Sequence, residues 1–379
     1  MVTYTPGGIQ VGPRRVVSCQ TRNLSRVRHD APAVVSAVDR PWAGGGRAAY
    51  PRGMVSETVA HNGLPGPLPG SPPRRAGGVR RTTSLDLTRP LGPDGPIEVN
   101  GRARDVRTAD AGAMTVLDKA LLSLTVTDGI VTRLRSFPER AAAPRLVGRQ
   151  ALVGWRTGLW RELHDDVESG SALHLLLDDL PGGMVVGGFT RRRALAAAGE
   201  PVPQPGRRLD VCAGWAADSR AAQIMADTGT PPPPVTPEAP DLVRDDDPNG
   251  WHTLAALPPW AMSRRRRVDA HLDGAQIEVD AMFRDSFIDI EGRERVLHEY
   301  AVHATLEANE GRVLAVQPAP RVLPHLECPV AGASTQRLIG MPCADLRDLV
   351  SSTLFGPSTC THLNDLMRSI ADVPALLTR

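Results

Sequence analysis

Cys360 and His362 lie two residues apart in the stretch PSTCTHLNDL, residues 357–366, which has the pattern of a helix start. Backbone N–H groups are free at a helix start and the helix dipole favours negative charge, so we expect a lowered pKa for the Cys360 thiol, with Thr359 or Thr361 as the cap. Cys328 precedes the helix predicted upstream in the same way. Such residues suit either a thiolate nucleophile with a histidine base or a Cys/His metal site.

The alternative is that Cys328, Cys343 and Cys360 are small buried apolar residues, a common role for free cysteine. No C-x-x-C pair and no H-E-x-x-H motif supports a metal site. The five cysteines are odd in number and scattered over the chain, which is not the pattern of a disulfide framework. We therefore expect reduced thiols and a cytoplasmic protein.

Two stretches of the chain resemble each other in five ordered motifs, the first of which pairs RRTTSLDL near residue 80 with RRRRVDAHL near residue 264. IEVNGRARD at 97–105 matches IEVDAMFRD at 277–285, and VLDKALLSLTVTDG at 116–129 matches VLHEYAVHATLEANEG at 296–311. RLVG at 145–148 matches RLIG at 337–340, and SGSALHLLLDDL at 169–180 matches GPSTCTHLNDLM at 356–367. Matches in one order predict an internal duplication, with two related halves.

Residues shared by both copies favour a role in folding. The pairs Arg104-Asp105 and Arg284-Asp285 recur. We interpret each pair as a cross-strand ion pair or turn anchor. His174 also recurs, as His362.

Three groups occur in the C-terminal copy alone. His298 stands where the first copy has Asp118, Cys360 stands where it has Ala172, and Cys328 has no cysteine counterpart. If the C-terminal copy holds a site, the first copy is a degenerate repeat that has kept only the scaffold.

The order of the patterns in each copy predicts the fold class. Stretches such as QIEVDAMF and YAVHATLEA alternate apolar and polar residues, as half-buried strands do. A proline-containing loop, a helix carrying RLIG and a last helix led by the His-Leu pair follow. Strands before helices indicate an α+β protein, with an antiparallel sheet and helices on one face.

Composition divides the chain into four parts. Residues 1–79 are rich in glycine, proline and arginine, which predicts a disordered extension; otherwise Met54 is the start and residues 1–53 are a mis-annotated extension. Residues 80–199 hold the first repeat and 263–379 the second. Between them, residues 200–262 are a Pro-rich connection, stiff and extended, with one short helix at about 215–227.

Charge and missing motifs exclude several classes of function. Residues 80–379 hold 34 basic and 39 acidic residues, so the folded part lacks the basic excess of a nucleic-acid-binding protein. No run of about 18 apolar residues suggests a membrane span. No phosphate loop occurs, and GGMVVGG lacks the context of a dinucleotide fingerprint, so no ATP or NAD dependence is indicated.

The C-terminal copy resembles the bacterial proteins grouped as domain of unknown function 2889. The resemblance is carried by RRRRVDAHLDG, FRDSF, VLHEYAVHATLEANEGRV, HLECPVAGASTQRLIG and STCTHLNDLMRSIA. One departure is Thr359, where the family pattern has glycine before the last cysteine. The resemblance attaches no established activity to the chain. It implies a common site formed by Asp285, His298, Cys328, Cys360 and His362.

Two functions remain open for this chain. As an enzyme acting on a small organic molecule, it would use Cys360 or Cys328 as nucleophile or metal ligand. His298 and His362 would then be bases or ligands, with Asp285 orienting a histidine. Zinc or iron is the expected metal, with Cys328, Cys360 and His362 as candidate ligands. The other function is a non-catalytic binding or assembly module, and neither reading defines an oligomeric state.

Overall fold

Eight strands form one antiparallel sheet in the computed structural model, which describes residues 63–203 and 209–379. The strands are Val79–Thr88 (β1), Ile97–Thr108 (β2), Met114–Thr127 (β3), Ile130–Phe137 (β4), Met262–Asp273 (β5), Gln276–Ile288 (β6), Glu294–Glu307 (β7) and Val313–Val322 (β8). Their order across the sheet is β4-β3-β2-β1-β5-β6-β7-β8. Each half of the chain thus contributes four consecutive strands, and the first strands of the two halves pair at the centre.

The helices follow the strands within each half. They are Trp155–Glu162 (α1), His164–Glu168 (α2), Ala172–Asp178 (α3), Leu180–Ala197 (α4), Arg220–Thr228 (α5), Leu346–Thr353 (α6), Thr361–Ile370 (α7) and Val373–Thr378 (α8). Helices α3, α4, α7 and α8 contact the central strands. The predicted α+β class with an antiparallel sheet is confirmed.

Three local predictions differ from the structure. The short helix in the connection begins at Arg220 rather than near 215, because the Ser219 side chain caps it by accepting a hydrogen bond from the Ala222 N–H. The segment Cys328–Leu338 that leads to RLIG is a 3₁₀ helix. The N-cap of α7 is Cys360, and neither neighbouring threonine caps the helix.

The two faces of the central strands are covered differently. On the helix side, apolar residues such as Leu85 and Leu87 pack beneath Gly183 of α4. On the other side, segments from before β1 and from the Pro-rich connection lie across the sheet, and the Trp251 Nε1–H donates to Ser71 Oγ at 2.7 Å. The central strands are therefore buried on both faces.

The predicted N-terminal extension, residues 1–79, is described only in part. Of the predicted N-terminal extension, residues 1–62 lie outside the described residues. Residues 63–79 include contacts to the sheet, since the Leu68 N–H donates to Glu299 Oε1 at 2.5 Å. Across the described ranges, no helix has the length and apolar character needed to cross a bilayer.

The buried His252 should make the stability of the fold sensitive to acid. Its ring nitrogens lie 2.9 Å from Thr82 Oγ1 and Ser84 Oγ, and burial together with neighbouring arginines lowers its pKa to about 3. The unfolded chain protonates this histidine near pH 6.5, so stability is present above that pH and is lost as pH falls toward 3.

Urea unfolding at pH 7.5, 6 and 5 measures this effect. Replacing His252 by Gln should reduce the loss of unfolding free energy below pH 6 by up to about 1.4 kcal/mol per pH unit. An unchanged pH dependence in the variant would contradict the prediction.

Candidate functional site

Asp285 lies at the centre of a cross-strand row of polar residues. On β6 it is opposite Arg264 of β5 on one side and His298 of β7 on the other, and the register shifts directly after it. Such an irregularity re-aims side chains, and it recurs after Asp105 in the first half. His362, near the start of α7, approaches the row from the helix layer.

Asp285, His298 and His362 bring their ligand atoms within 4.8 Å of one another. Asp285 Oδ2 lies 3.6 Å from His362 Nε2 and 4.0 Å from His298 Nδ1. The two imidazole rings stack, with centroids 3.9 Å apart and an angle of 17° between their planes. Over residues 63–203 and 209–379, no other group of three histidine, cysteine or acidic side chains converges in this way.

Both histidines are neutral at physiological pH. Burial and the neighbouring Arg264 lower the pKa of His362 to about 3. Burial, together with His362, lowers the pKa of His298 well below its usual range. His298 Nδ1 is buried, and it has no hydrogen-bond partner among residues 63–203 and 209–379. A neutral imidazole with a free nitrogen can bind a metal ion or accept a proton.

Arg264 holds the carboxylate of the site in place. Its Nε and Nη2 atoms donate to the two oxygens of Asp285 at 2.8 and 2.9 Å, and its Nη1 donates to Asp365 Oδ2 at 2.8 Å. Burial would raise the pKa of Asp365, but arginines including Arg156 and Arg264 outweigh it and lower the pKa to about 2. The guanidinium thus connects the strand carrying Asp285 to the helix carrying His362.

The cysteines do not join this group of three. Cys360 is buried at the N-cap of α7, and burial raises the pKa of its thiol to about 12, opposite to the expected direction. Burial and the nearby Cys360 raise the pKa of Cys328 well above its usual range. The Tyr300 hydroxyl donates to the Cys328 carbonyl at 3.3 Å. Desolvation at Cys360 therefore outweighs the favourable helix terminus.

Sequence reasoning missed several neighbours of the site. Arg264 is the first, although the run of four arginines at 264–267 within a strand was a visible signal, since buried charges require partners. Phe283 stacks at 6.1 Å on His362. Gly214 comes from the connection, and a Cβ there would lie 2.5 Å from Cys328 Sγ and 3.0 Å from the His325 ring. Only folding brings that segment to the site.

The corresponding position of the first half is filled differently. Asp105 accepts hydrogen bonds from Arg81 at 2.7 and 2.6 Å, as Asp285 does from Arg264. Asp118 stands opposite Asp105, and the Arg379 guanidinium lies 2.8 Å from Asp105 and 3.3 Å from Asp118. His174 is buried in α3, and no described residue forms a hydrogen bond with its Nδ1.

Removing Arg264 should strongly destabilise the fold. In an Arg264→Met variant, Asp285 and Asp365 lose a buried partner, and we expect a loss of about 3–5 kcal/mol in unfolding free energy. The control is Arg133→Met, because Arg133 is 59% exposed and pairs with Glu98 at 3.4 Å, so its loss should stay below about 1 kcal/mol. Chemical denaturation measures both, and equal losses would contradict the argument.

The buried cysteines should be slow to react. In a Cys19→Ser background, we expect Ellman's reagent at pH 8 to modify Cys328, Cys343 and Cys360 only after the protein is denatured, because thiols with raised pKa values carry little thiolate. Mass spectrometry of the native reaction identifies the modified residue. Rapid modification of Cys360 in the folded protein would instead indicate an activated nucleophile.

Comparison with known proteins identifies one region of the chain. No curated protein and no solved structure matches it significantly. Residues 262–376 match the model of one family, which is described as a protein of unknown function (DUF2889). The match contains Asp285, His298, Cys328, Cys360 and His362, and it confirms the resemblance predicted from the motifs. Residues 262–376 of this chain are therefore similar to the DUF2889 family.

Proposed function

We propose that the protein is a metal-dependent enzyme that acts on a small organic molecule in its C-terminal half. Asp285, His298 and His362 would hold one zinc or iron ion. The observation that carries the proposal is the convergence of two neutral imidazoles and one carboxylate within 4.8 Å. Two histidines and one carboxylate are a donor set used by both catalytic zinc and non-haem iron sites.

The spacing and hydrogen bonding of the three side chains support this donor set. Metal–ligand bonds to histidine and carboxylate are about 2.0–2.2 Å long, so two ligands of one ion lie roughly 3–4 Å apart. Asp285 Oδ2 meets that spacing with both His362 and His298, at 3.6 and 4.0 Å. His298 Nδ1 has no hydrogen-bond partner among the residues that the structure describes, which also supports a ligand there.

Arg264 would orient the carboxylate, as outer partners of metal ligands do. The side chains of His298 and His362 are 13% and 12% exposed, so the group of three is not completely closed to solvent. Three protein ligands leave coordination positions for water or substrate, where a bound metal ion supplies Lewis-acid or redox chemistry. Cys328 and Cys360 would pack behind the site as thiols.

We also infer that the two halves of the sheet are related copies. Arg81 with Asp105 corresponds to Arg264 with Asp285, and a register shift follows each aspartate. The pairing of Thr83 with Arg266 at the centre of β1 and β5 suits a pseudo-twofold axis. In this interpretation a guanidinium occupies in the first half the cation position that a metal ion takes in the second.

Metal binding by the full chain tests the proposal. After chelator treatment, the wild type should take up about one equivalent of Zn²⁺ or Fe²⁺, with a rise in melting temperature. His298→Ala and His362→Ala should each weaken binding by at least about 100-fold, more than loss of an outer partner typically does. The control is His303→Ala. His303 is a half-exposed histidine on β7, the strand of His298, and its Nε2 lies 3.0 Å from Glu278.

The same measurement separates the proposal from the binding or assembly module. Equal metal content in the wild type and in a His298→Ala/His362→Ala double variant would contradict a metal centre. The histidines would then be packing residues above Asp285, whose two oxygens already accept hydrogen bonds from Arg264. That outcome would favour the non-catalytic module.

A further inference from the structure

A cavity of about 170 Å³ lies where the connection meets the loop after β8. One wall is the first half of α5, the second is the Pro-rich segment at 232–235, and the third is the loop at 323–327. An engineered apolar cavity of similar volume, about 150 Å³, holds benzene, so this space suits a molecule of roughly one ring. Apolar side chains form most of its lining, including Ala221, Ile224, Pro232, Val235 and Leu326.

One polar group in the lining lacks a partner. Glu327 lines the cavity, and its Oε1 accepts a hydrogen bond from the Arg220 N–H at the start of α5, at 2.7 Å. Its Oε2 is buried and has no hydrogen-bond partner within the described part of the chain. An unpaired buried carboxylate oxygen is costly, and a donor group on a ligand would satisfy it.

His325 packs between the cavity and residues 214–215 of the connection. It lines the cavity, and its ring lies edge-on to Trp215 with centroids 5.1 Å apart. The segment that carries Trp215 also reaches the helix of His362, because the Ala213 N–H donates to the Thr359 carbonyl at 2.8 Å. Gly214 allows this arrangement, because a Cβ at that position would lie 3.0 Å from the His325 ring.

We propose that this cavity binds a small organic molecule with an apolar body of about one ring and one hydrogen-bond donor, which meets Glu327 Oε2. It would serve as the substrate pocket of the metal centre, with His325 as the wall between them. The second statement rests on the proposed function, whereas binding in the cavity does not require the metal. Helix α5 and the Pro-rich segment, which form two walls, belong to the connection. The connection would therefore determine which molecule binds, whereas the proposed metal ligands lie within residues 262–376.

Phenol and toluene are suitable probes, since they share a ring and differ in the donor. Ligand-observed NMR on the metal-free full chain should show saturable phenol binding. Glu327→Gln retains an oxygen for the Arg220 N–H but offers a donor in place of Oε2, so it should weaken phenol binding by about 10-fold and change toluene binding less than twofold. Ile224→Trp should fill the cavity and abolish binding of both probes.

Paramagnetic relaxation measures whether the cavity lies close to the proposed metal centre. With paramagnetic Co²⁺ bound, the relaxation of phenol protons should be enhanced, and His298→Ala should remove the enhancement while phenol binding persists. Binding of both probes without enhancement would overturn the role as substrate pocket.

The outcomes distinguish the two proposals. Uptake of metal without phenol binding, or phenol binding unaffected by both Glu327→Gln and Ile224→Trp, would contradict the cavity inference alone. Phenol binding that depends on Glu327 in a chain that takes up no metal would support the cavity as a ligand site and contradict the metal centre.

Discussion

Buried guanidinium groups on the central strands, each meeting a carboxylate, are the interaction on which the arrangement of helices depends. Arg264 and Arg81 are almost completely buried and donate both to an aspartate on the next strand and to one in the helix layer. Arg266 pairs with Asp179 at the start of α4. A buried charge without a partner is strongly destabilising, so a placement of these helices that left Arg81, Arg264 or Arg266 unpaired would be disfavoured.

The candidate site is a consequence of that placement. His362 and Asp365 are on the same helix, and the bond from Arg264 to Asp365 brings the helix start over Asp285. The adjacent strand then supplies His298 from the other side. Burial lowers the pKa of His362 and raises the pKa of Cys360. At neutral pH the histidine is therefore a neutral imidazole, which can bind a metal ion, whereas the cysteine stays a protonated thiol.

The connection is more than a spacer between the halves. Residues 213–214 contact the α7 region, since the Ala213 N–H donates to the Thr359 carbonyl at 2.8 Å, and Gly214 packs on Cys328. The later part of the connection lies across the opposite face of the sheet, where Arg284 donates to the Pro240 carbonyl at 2.6 Å. One extended segment thus closes both faces of the structure, consistent with the stiffness of proline-rich chain.

The sequence by itself determined the strands and the order of strands and helices, because the alternation of apolar and polar residues and the turn residues act locally. Its motifs also identified the region that matches the family model. It also named Asp285, His298 and His362, through the resemblance of the C-terminal copy to one family. Only the tertiary structure decided that these three converge while Cys328 and Cys360 do not. Side-chain convergence and desolvation depend on strand register and on a helix distant in sequence, so spacing along the chain cannot specify them.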